Sequence, residues 1–106
     1  MSEVRLNSSG SSAHSGVIRF DGEVFEMFGF ATDGSRRIHI ATIQQLELSF
    51  KSGMLATPTI SMSGRNGGMS GIIQAIKPDE AEAVDLTALV AEVNEAAARY
   101  PNGENQ

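Results

Sequence analysis

Residues 19–28 read RFDGEVFEMF, two apolar stretches joined by the pair Asp21-Gly22. Such a pair between apolar residues is a strong signal for a tight hairpin, because both residues tolerate the positive backbone φ angles that the turn requires. The stretch therefore predicts two antiparallel strands, the first ending at Phe20 and the second continuing to Phe30. It also raises the question of whether the hairpin holds a ligand or only reverses the chain.

Four more strands are predicted on the C-terminal side of this hairpin. Their apolar residues alternate or form short runs over residues 37–40, 46–50, 59–63 and 69–76. Turn signals separate them at Asp33-Gly34, at residues 51–53 and at Asn66-Gly67, whereas residues 42–45 are ambiguous and could form one helical turn. Six strands with turn chemistry between neighbours predict an antiparallel meander.

A change of period marks the end of the strands. From Asp79 onward strong helix formers follow without an interior Gly or Pro, and either Asp79 or Asp85 can cap the start of a helix. Apolar residues recur there at spacings of three and four, on one helix face: Leu86, Leu89, Val90, Val93, Ala97 and Tyr100. This face is expected to pack across one opening of a curled sheet. The predicted fold class is α+β, mainly β, with six to seven strands and one C-terminal amphipathic helix.

The chain of 106 residues is long enough for one domain with one core. Residues 1–14 are rich in Ser, Asn and Gly and hold few large apolar side chains, so they are predicted to form a flexible tail. Residues 101–106 are polar and begin with a proline, and they are predicted to fray. The domain is thus expected to span residues 15–100.

Charge and composition exclude several classes of protein. The formal net charge is −5, and a nucleic-acid-binding protein usually presents a basic face, so nucleic acid is not an expected partner. The chain has no Cys, which excludes disulfides, thiolate nucleophiles and Cys-ligated zinc. No apolar run approaches the roughly 18 residues of a membrane span, and residues 1–12 lack the apolar centre of a signal peptide. We therefore expect a soluble protein in the cytoplasm.

Several segments, taken in their order, resemble pleckstrin-homology-like (PH-like) domains, in particular a short uncharacterised actinobacterial family. These segments are SGVIRFDGEVFEM, IHIATIQQLEL, the Gly-led stretch 53–63, GIIQAI and DLTALVAEVNEA, and they cover about residues 15–100. The chain departs from the pattern at His39, where relatives often have a proline before the Ile-x-x-Ile run. The resemblance implies a barrel of seven strands capped by a helix, so a seventh strand is expected within residues 29–36 or 53–58.

The resemblance also bears on the question that the hairpin raised. In lipid-binding members of the superfamily, basic residues around the first hairpin clasp inositol phosphates. The matching stretch offers Arg19 alone, followed by Asp21, Glu23 and Glu26. Two like charges about 4 Å apart repel by about 4 kcal/mol at an effective dielectric constant near 20, so these acids oppose a polyphosphate. The hairpin is therefore predicted to reverse the chain, and phosphoinositide binding is not expected.

No residue pattern predicts catalysis, a metal site or a cofactor. The glycine-rich residues 64–71 lack the Lys and the following helix of a phosphate-binding loop and favour a hairpin turn. His14 and His39 are the only histidines and have no second ligand at metal spacing, and the acids that open the helix spread around its circumference. We therefore expect no enzymatic activity, no metal and no cofactor.

The leading functional hypothesis is a non-catalytic interaction domain that binds a protein or peptide by strand addition, in a groove between a strand edge and the helix. The predicted contacts are Thr59, within a pairing segment at 54–63, and Leu89 and Val93 on the helix. The only basic doublet, Arg36-Arg37, could grip a carboxylate, a phosphate or an acidic partner. Methionines on or beside the strands are expected in the core, although a groove lined by them would suit a pliable binding surface.

Two alternative functions stay open. The exposed strand edge could be closed by a second copy of the chain, which would make this a homo-oligomeric structural domain. The chain could also associate weakly with anionic membranes through Arg19, Arg36 and Arg37.

Overall fold

The computed structural model describes residues 2–7, 10, 14–30, 35–50 and 58–100, and these form two antiparallel sheets and one α-helix. The first sheet has the order β1-β2-β3-β4 and the second the order β5-β6-β7. The elements are β1 Ser2–Leu6, β2 Gly16–Phe20, β3 Val24–Gly29, β4 Arg36–His39, β5 Ile43–Ser49, β6 Thr59–Gly64, β7 Gly71–Ala75 and α1 Glu80–Arg99. The predicted fold class is confirmed: a mainly β, α+β fold whose paired strands are all antiparallel.

The seventh strand is β1, in the segment predicted to be a flexible tail. It pairs with β2 along its whole length, from Ser2 opposite Phe20 to Leu6 opposite Gly16. Val4 and Leu6 point into the core and are buried. The tail prediction was wrong for this part because two apolar residues between charges carry little signal, whereas a paired neighbour makes their burial possible. The remaining described part of residues 1–14 carries no strand.

The hairpin between β2 and β3 is confirmed, and its turn lies one residue later than predicted. Gly22 and Glu23 occupy the two central positions, and Gly22 takes the positive φ of 107°. The carboxylate of Asp21 accepts hydrogen bonds from the backbone N–H groups of Glu23 and Val24, both at 2.8 Å. These donors favour the ionised carboxylate and hold the pKa of Asp21 below its ordinary value of 3.8. The Asp21 carboxylate is therefore used by the turn itself.

Two 3₁₀ turns connect the later strands. Asn66 and Gly67 both have positive φ, 55° and 76°, and the Gly68 amide donates to the Arg65 carbonyl at 2.9 Å. This confirms the turn predicted between β6 and β7. The other turn, Ile40–Thr42, joins the two sheets and includes the first of the ambiguous residues 42–45, whereas the other three belong to β5.

The helix α1 begins with a capping box. The Asp79 side chain accepts from the Glu82 amide at 2.7 Å, and the Glu82 side chain accepts from the Asp79 amide at 3.1 Å. Five of the six residues predicted on the apolar face are buried: Leu86, Leu89, Val90, Val93 and Ala97. The sixth, Tyr100, lies at the exposed end of the helix. Burying each of the large side chains contributes about 1.5 to 3 kcal/mol.

The helix packs mainly against β5 and β1, one outer strand of each sheet. It therefore closes the domain along one side of the two-sheet core. The other two outer strands are β4 and β7, and residues of both line a cleft in the described part of the chain.

Candidate functional site

A cleft of about 620 Å³ lies between β4 and the hairpin that joins β6 to β7. We call it the β4–β7 cleft. Its apolar residues include Ile38 on β4, Met62 on β6 and Ile73 on β7. Ile38 lies opposite the buried Phe25, and Met62 is itself buried, so the floor of the cleft is continuous with the core.

The mouth of the cleft carries exposed apolar surface. Met69 is 75 % exposed and lines the cleft, and Ile72, on β7, is 68 % exposed and lines a smaller adjoining cavity. Large apolar side chains that stand in water next to a preformed cavity are typical of binding surfaces. Methionine side chains are flexible and polarizable, which lets Met62 and Met69 adapt to a ligand. Of the predicted methionine positions, Met54 lies outside the described residues and Met27 is buried in the core.

Among the described residues that line the β4–β7 cleft, the charged ones are all arginines. They are Arg36, Arg37 and Arg65, and no described acidic residue lines it. This contrasts with the whole chain, in which 13 acids outnumber eight Lys and Arg residues. The cleft is thus a locally cationic site on an acidic protein, which favours anionic ligands.

Arg65 is held by the fold. Its Nε donates to the Ile43 carbonyl at 2.8 Å, and its guanidinium donates to the Ala97 carbonyl and stands 5.6 Å from the centre of the Tyr100 ring. These contacts fasten the β6–β7 hairpin to β5 and to the C-terminal end of α1, where carbonyl groups attract cations. Arg65 therefore positions one wall of the cleft.

Arg37 and Arg19 are held by a buried carboxylate on the outer face of the first sheet. Glu26 on β3 lies between them, 3.1 Å from Arg19 Nε and 2.9 Å from Arg37 Nε, and is only 6 % exposed. The register continues this row to Glu3 on β1, so that charges alternate across all four strands. Two of the three arginines predicted to contact a membrane are thus ion-paired with Glu26, whose single negative charge offsets one of their two positive charges.

Arg36 is different. It lies opposite the buried Met27, so its side chain leaves β4 on the face that carries Ile38 and reaches the cleft. It is exposed, and within the described part of the chain its guanidinium has no ion pair and no hydrogen bond. Arg36 is therefore the cation of the cleft that is available to a ligand.

The groove predicted between a strand edge and the helix is not formed by the residues named for it. Thr59 lies on β6, the central strand of its sheet, and is paired with Ser49 on one side and with Ala75 on the other. Leu89 and Val93 are 2 % and 0 % exposed, because the apolar face of α1 is used to close the core. No added strand can pair with 59–63, and residues 54–57 of the predicted segment lie outside the described residues.

Backbone groups at the outer edge of β5 have partners on the helix. The Asn94 side chain accepts a hydrogen bond from the Leu46 amide at 2.7 Å and donates one to the Leu46 carbonyl at 2.9 Å. An amide side chain can do both because it carries a donor and an acceptor. At the edge of β7, the Ala75 carbonyl accepts from the Gln74 side chain at 2.9 Å.

Among the described residues, the edge of β4 offers few free backbone groups. The Ile40 amide donates to the Glu23 carbonyl on the β3 side, and the alternation of the ladder then turns the backbone groups of Arg37 and His39 outward. The His39 carbonyl is already bonded to the Thr42 hydroxyl at 2.8 Å. Strand addition needs a row of free groups, so a ligand at the edge of β4 has to be recognised mainly through side chains.

The described histidine on β4 has a structural role. His39 Nδ1 accepts from the Ala41 amide at 3.0 Å and caps the 3₁₀ turn that lines the cleft, while its ring meets the Tyr100 ring edge-on at 5.6 Å. Among the described residues, no group of three His, Asp or Glu side chains could hold a metal ion.

The chain matches no family model, no curated protein and no solved structure. Within the described ranges, no helix combines the length and the hydropathy that a membrane span requires. The β4–β7 cleft is therefore interpreted from its own chemistry. Sequence reasoning singled out Arg36 and the methionines, but it missed Arg65, Ile73 and Glu26, which carried no pattern of their own.

Proposed function

We propose that this chain is a non-catalytic, PH-like interaction domain that binds a segment of another protein in the β4–β7 cleft. The observation that carries the proposal is the cleft itself. It combines an apolar floor, an exposed methionine at its mouth and a cation without a partner in the described chain. This combination suits an amphipathic surface of another protein.

The expected affinity is modest. Two apolar side chains of the bound segment, once buried in the cleft, would contribute about 1.5 to 3 kcal/mol each. A hydrogen-bonded ion pair with Arg36 would contribute about 1.5 to 3 kcal/mol more. Association costs roughly 4 kcal/mol or more in lost translational and rotational freedom. These figures leave at most about 5 kcal/mol, so we expect a dissociation constant of roughly 0.2 mM or weaker.

The PH-like assignment is part of this proposal and rests on the order of the matching segments, with which two antiparallel sheets and a C-terminal helix are consistent. Fold similarity does not determine function, so the binding role rests on the cleft. The proposal places the domain in the cytoplasm, as composition predicts, and gives it no catalytic step, since His39 is used to cap a turn.

Photo-crosslinking in the source cell tests the proposal. A photoreactive residue is introduced at Met69, at the mouth of the cleft, and in a control variant at Val84, which is nearly as exposed but lies on α1. We expect adducts with another protein from the Met69 position and not from Val84. Equal adducts from both positions, or none, would contradict binding in the cleft. Adducts between copies of the chain would favour the homo-oligomeric alternative instead.

A further inference from the structure

We propose that the protein segment bound in the β4–β7 cleft presents a carboxylate side chain to Arg36 and a large apolar side chain to the floor beside it. This inference rests on the proposed function and adds the chemistry of the partner. Among the described residues, it is supported by the charge of the cleft, by the position of Arg36 on β4 and by the state of the strand edges.

The charge of the cleft selects the sign of the ligand. Of the described residues, three arginines and no acid line it, although acids are in excess over the chain. Arg65 is already bonded to backbone carbonyls and Arg37 is ion-paired with Glu26 on the outer face, so neither is free to pair with a ligand. Arg36 is left to bind. Its planar guanidinium matches a carboxylate with two parallel hydrogen bonds, which a single backbone carbonyl cannot accept.

The position of Arg36 on β4 determines the spacing that we expect between the acidic and the apolar residue of the partner segment. Arg36 and Ile38 lie two residues apart on one strand, so their side chains leave β4 on the same face about 6.5 Å apart. In an extended partner segment, side chains two residues apart are separated by about the same distance and also share one face. An acidic residue and a large apolar residue at positions i and i+2 would therefore meet Arg36 and the apolar floor together.

The few free backbone groups at the edge of β4 indicate that the partner is recognised through its side chains. On β4 only Arg37 keeps both outward backbone groups without a partner among the described residues, because the His39 carbonyl is bonded to Thr42. A strand-adding partner would gain few backbone hydrogen bonds here, so its side chains have to supply the specificity. Backbone pairing would tolerate any side chain, whereas this cleft is expected to discriminate by charge and size.

The test is selection from a random heptapeptide library displayed on phage. The baits are the wild-type chain, Arg36→Glu, and Arg5→Glu as a control with the same change in charge on the outer face of β1. Each bait is first shown to be folded by circular dichroism and thermal melting. We expect wild type and Arg5→Glu to enrich Asp or Glu two positions from a large apolar residue. Arg36→Glu is expected to lose that preference.

A selected peptide is then measured by fluorescence anisotropy, together with its Glu→Gln or Asp→Asn analogue. We expect the wild-type chain to bind the analogue at least about tenfold more weakly than the parent peptide, a loss of about 1.4 kcal/mol. We expect Arg36→Ala to bind the analogue and the parent peptide equally weakly. Equal binding of parent and analogue to wild type would overturn the carboxylate inference.

The outcomes separate this inference from the function on which it rests. Peptides that are enriched without acids, and whose binding is abolished by Met69→Glu, would overturn the carboxylate inference and leave peptide binding in the cleft intact. No enrichment with any bait would count against both. Binding to vesicles of phosphatidylserine that Arg36→Glu abolishes, without peptide enrichment, would replace the protein partner by an anionic membrane surface.

Discussion

Replacing Asn94 by alanine is expected to destabilise the fold and to expose one position of the β5 edge. Asn94 on α1 satisfies both backbone groups of Leu46, at 2.7 and 2.9 Å, and Leu46 is buried. Each hydrogen bond contributes about 0.5 to 1.5 kcal/mol, and a buried group left without a partner costs about 1 to 3 kcal/mol. The substitution also stabilises the helix by roughly 0.7 kcal/mol, because alanine has a higher helix propensity than asparagine. We therefore expect a net loss of about 2 kcal/mol.

Thermal unfolding and amide hydrogen exchange measure the two parts of this prediction. For a domain near 100 residues, about 2 kcal/mol corresponds to a fall of roughly 8 to 16 °C in Tm. The exchange rate of the Leu46 amide is expected to rise more than those of its neighbours on β5, since its acceptor is the group removed. A matched control is Thr87→Ala on the exposed face of α1, for which we expect a change within about 0.5 kcal/mol.

The variant Asn94→Asp separates the two hydrogen bonds. A carboxylate still accepts from the Leu46 amide but cannot donate to the Leu46 carbonyl and repels it. We expect this variant to lose stability while the Leu46 amide stays protected. An unchanged exchange rate for that amide in Asn94→Ala would refute the role assigned to Asn94 at the sheet edge.

Three further predictions concern β1, the charge row and the hairpin turn. Leu6→Ala should cost about 2 to 5 kcal/mol in urea unfolding, because Leu6 is 1 % exposed in the core, and a loss below about 1 kcal/mol would contradict the packing of β1. Glu26→Gln should lower the free energy of unfolding by about 1 to 3 kcal/mol, a range that already allows for the solvent exposure of the two arginines. This loss should become smaller at high salt, which screens the ion pairs. The pKa of Asp21, followed by NMR of its carboxyl carbon, should lie below 3.8. The Asp21 carboxylate then stabilises the fold above pH 3.8, its pKa in the unfolded chain, and this contribution is lost as the pH falls through the pKa in the folded chain. In Asp21→Asn, the Tm measured across this pH range should lack that part of the pH dependence.

Much of the architecture could be predicted from the sequence because it rests on local patterns. Alternating apolar residues and turn pairs located six strands, and the spacing of three and four located α1 and its buried face. The strand β1 escaped because the alternation of Val4 and Leu6 is too short to stand out from a polar segment. Its burial depends on β2, which lies ten residues further along the chain.

The candidate site was predicted less well, for a related reason. A helix face that is apolar can serve a partner or the core, and periodicity does not distinguish the two uses. The packing of α1 on β5 and β1 decided that Leu89 and Val93 serve the core. The doublet Arg36-Arg37 looks uniform in sequence, yet the pleat sends Arg37 to Glu26 on the outer face and Arg36 into the cleft.

From the sequence alone came six of the seven described strands, the hairpin turns that follow β2 and β6, the capped helix and the excess of acidic charge, since each follows from residues that are close neighbours along the chain. Only the tertiary structure decided which outer strands the helix covers, which arginine is left without a partner among the described residues, and where the apolar cleft opens. Those outcomes depend on register and packing between residues far apart in the chain, such as Asn94 with Leu46 and Arg65 with Ala97. Their contacts form only when the two sheets and the helix come together.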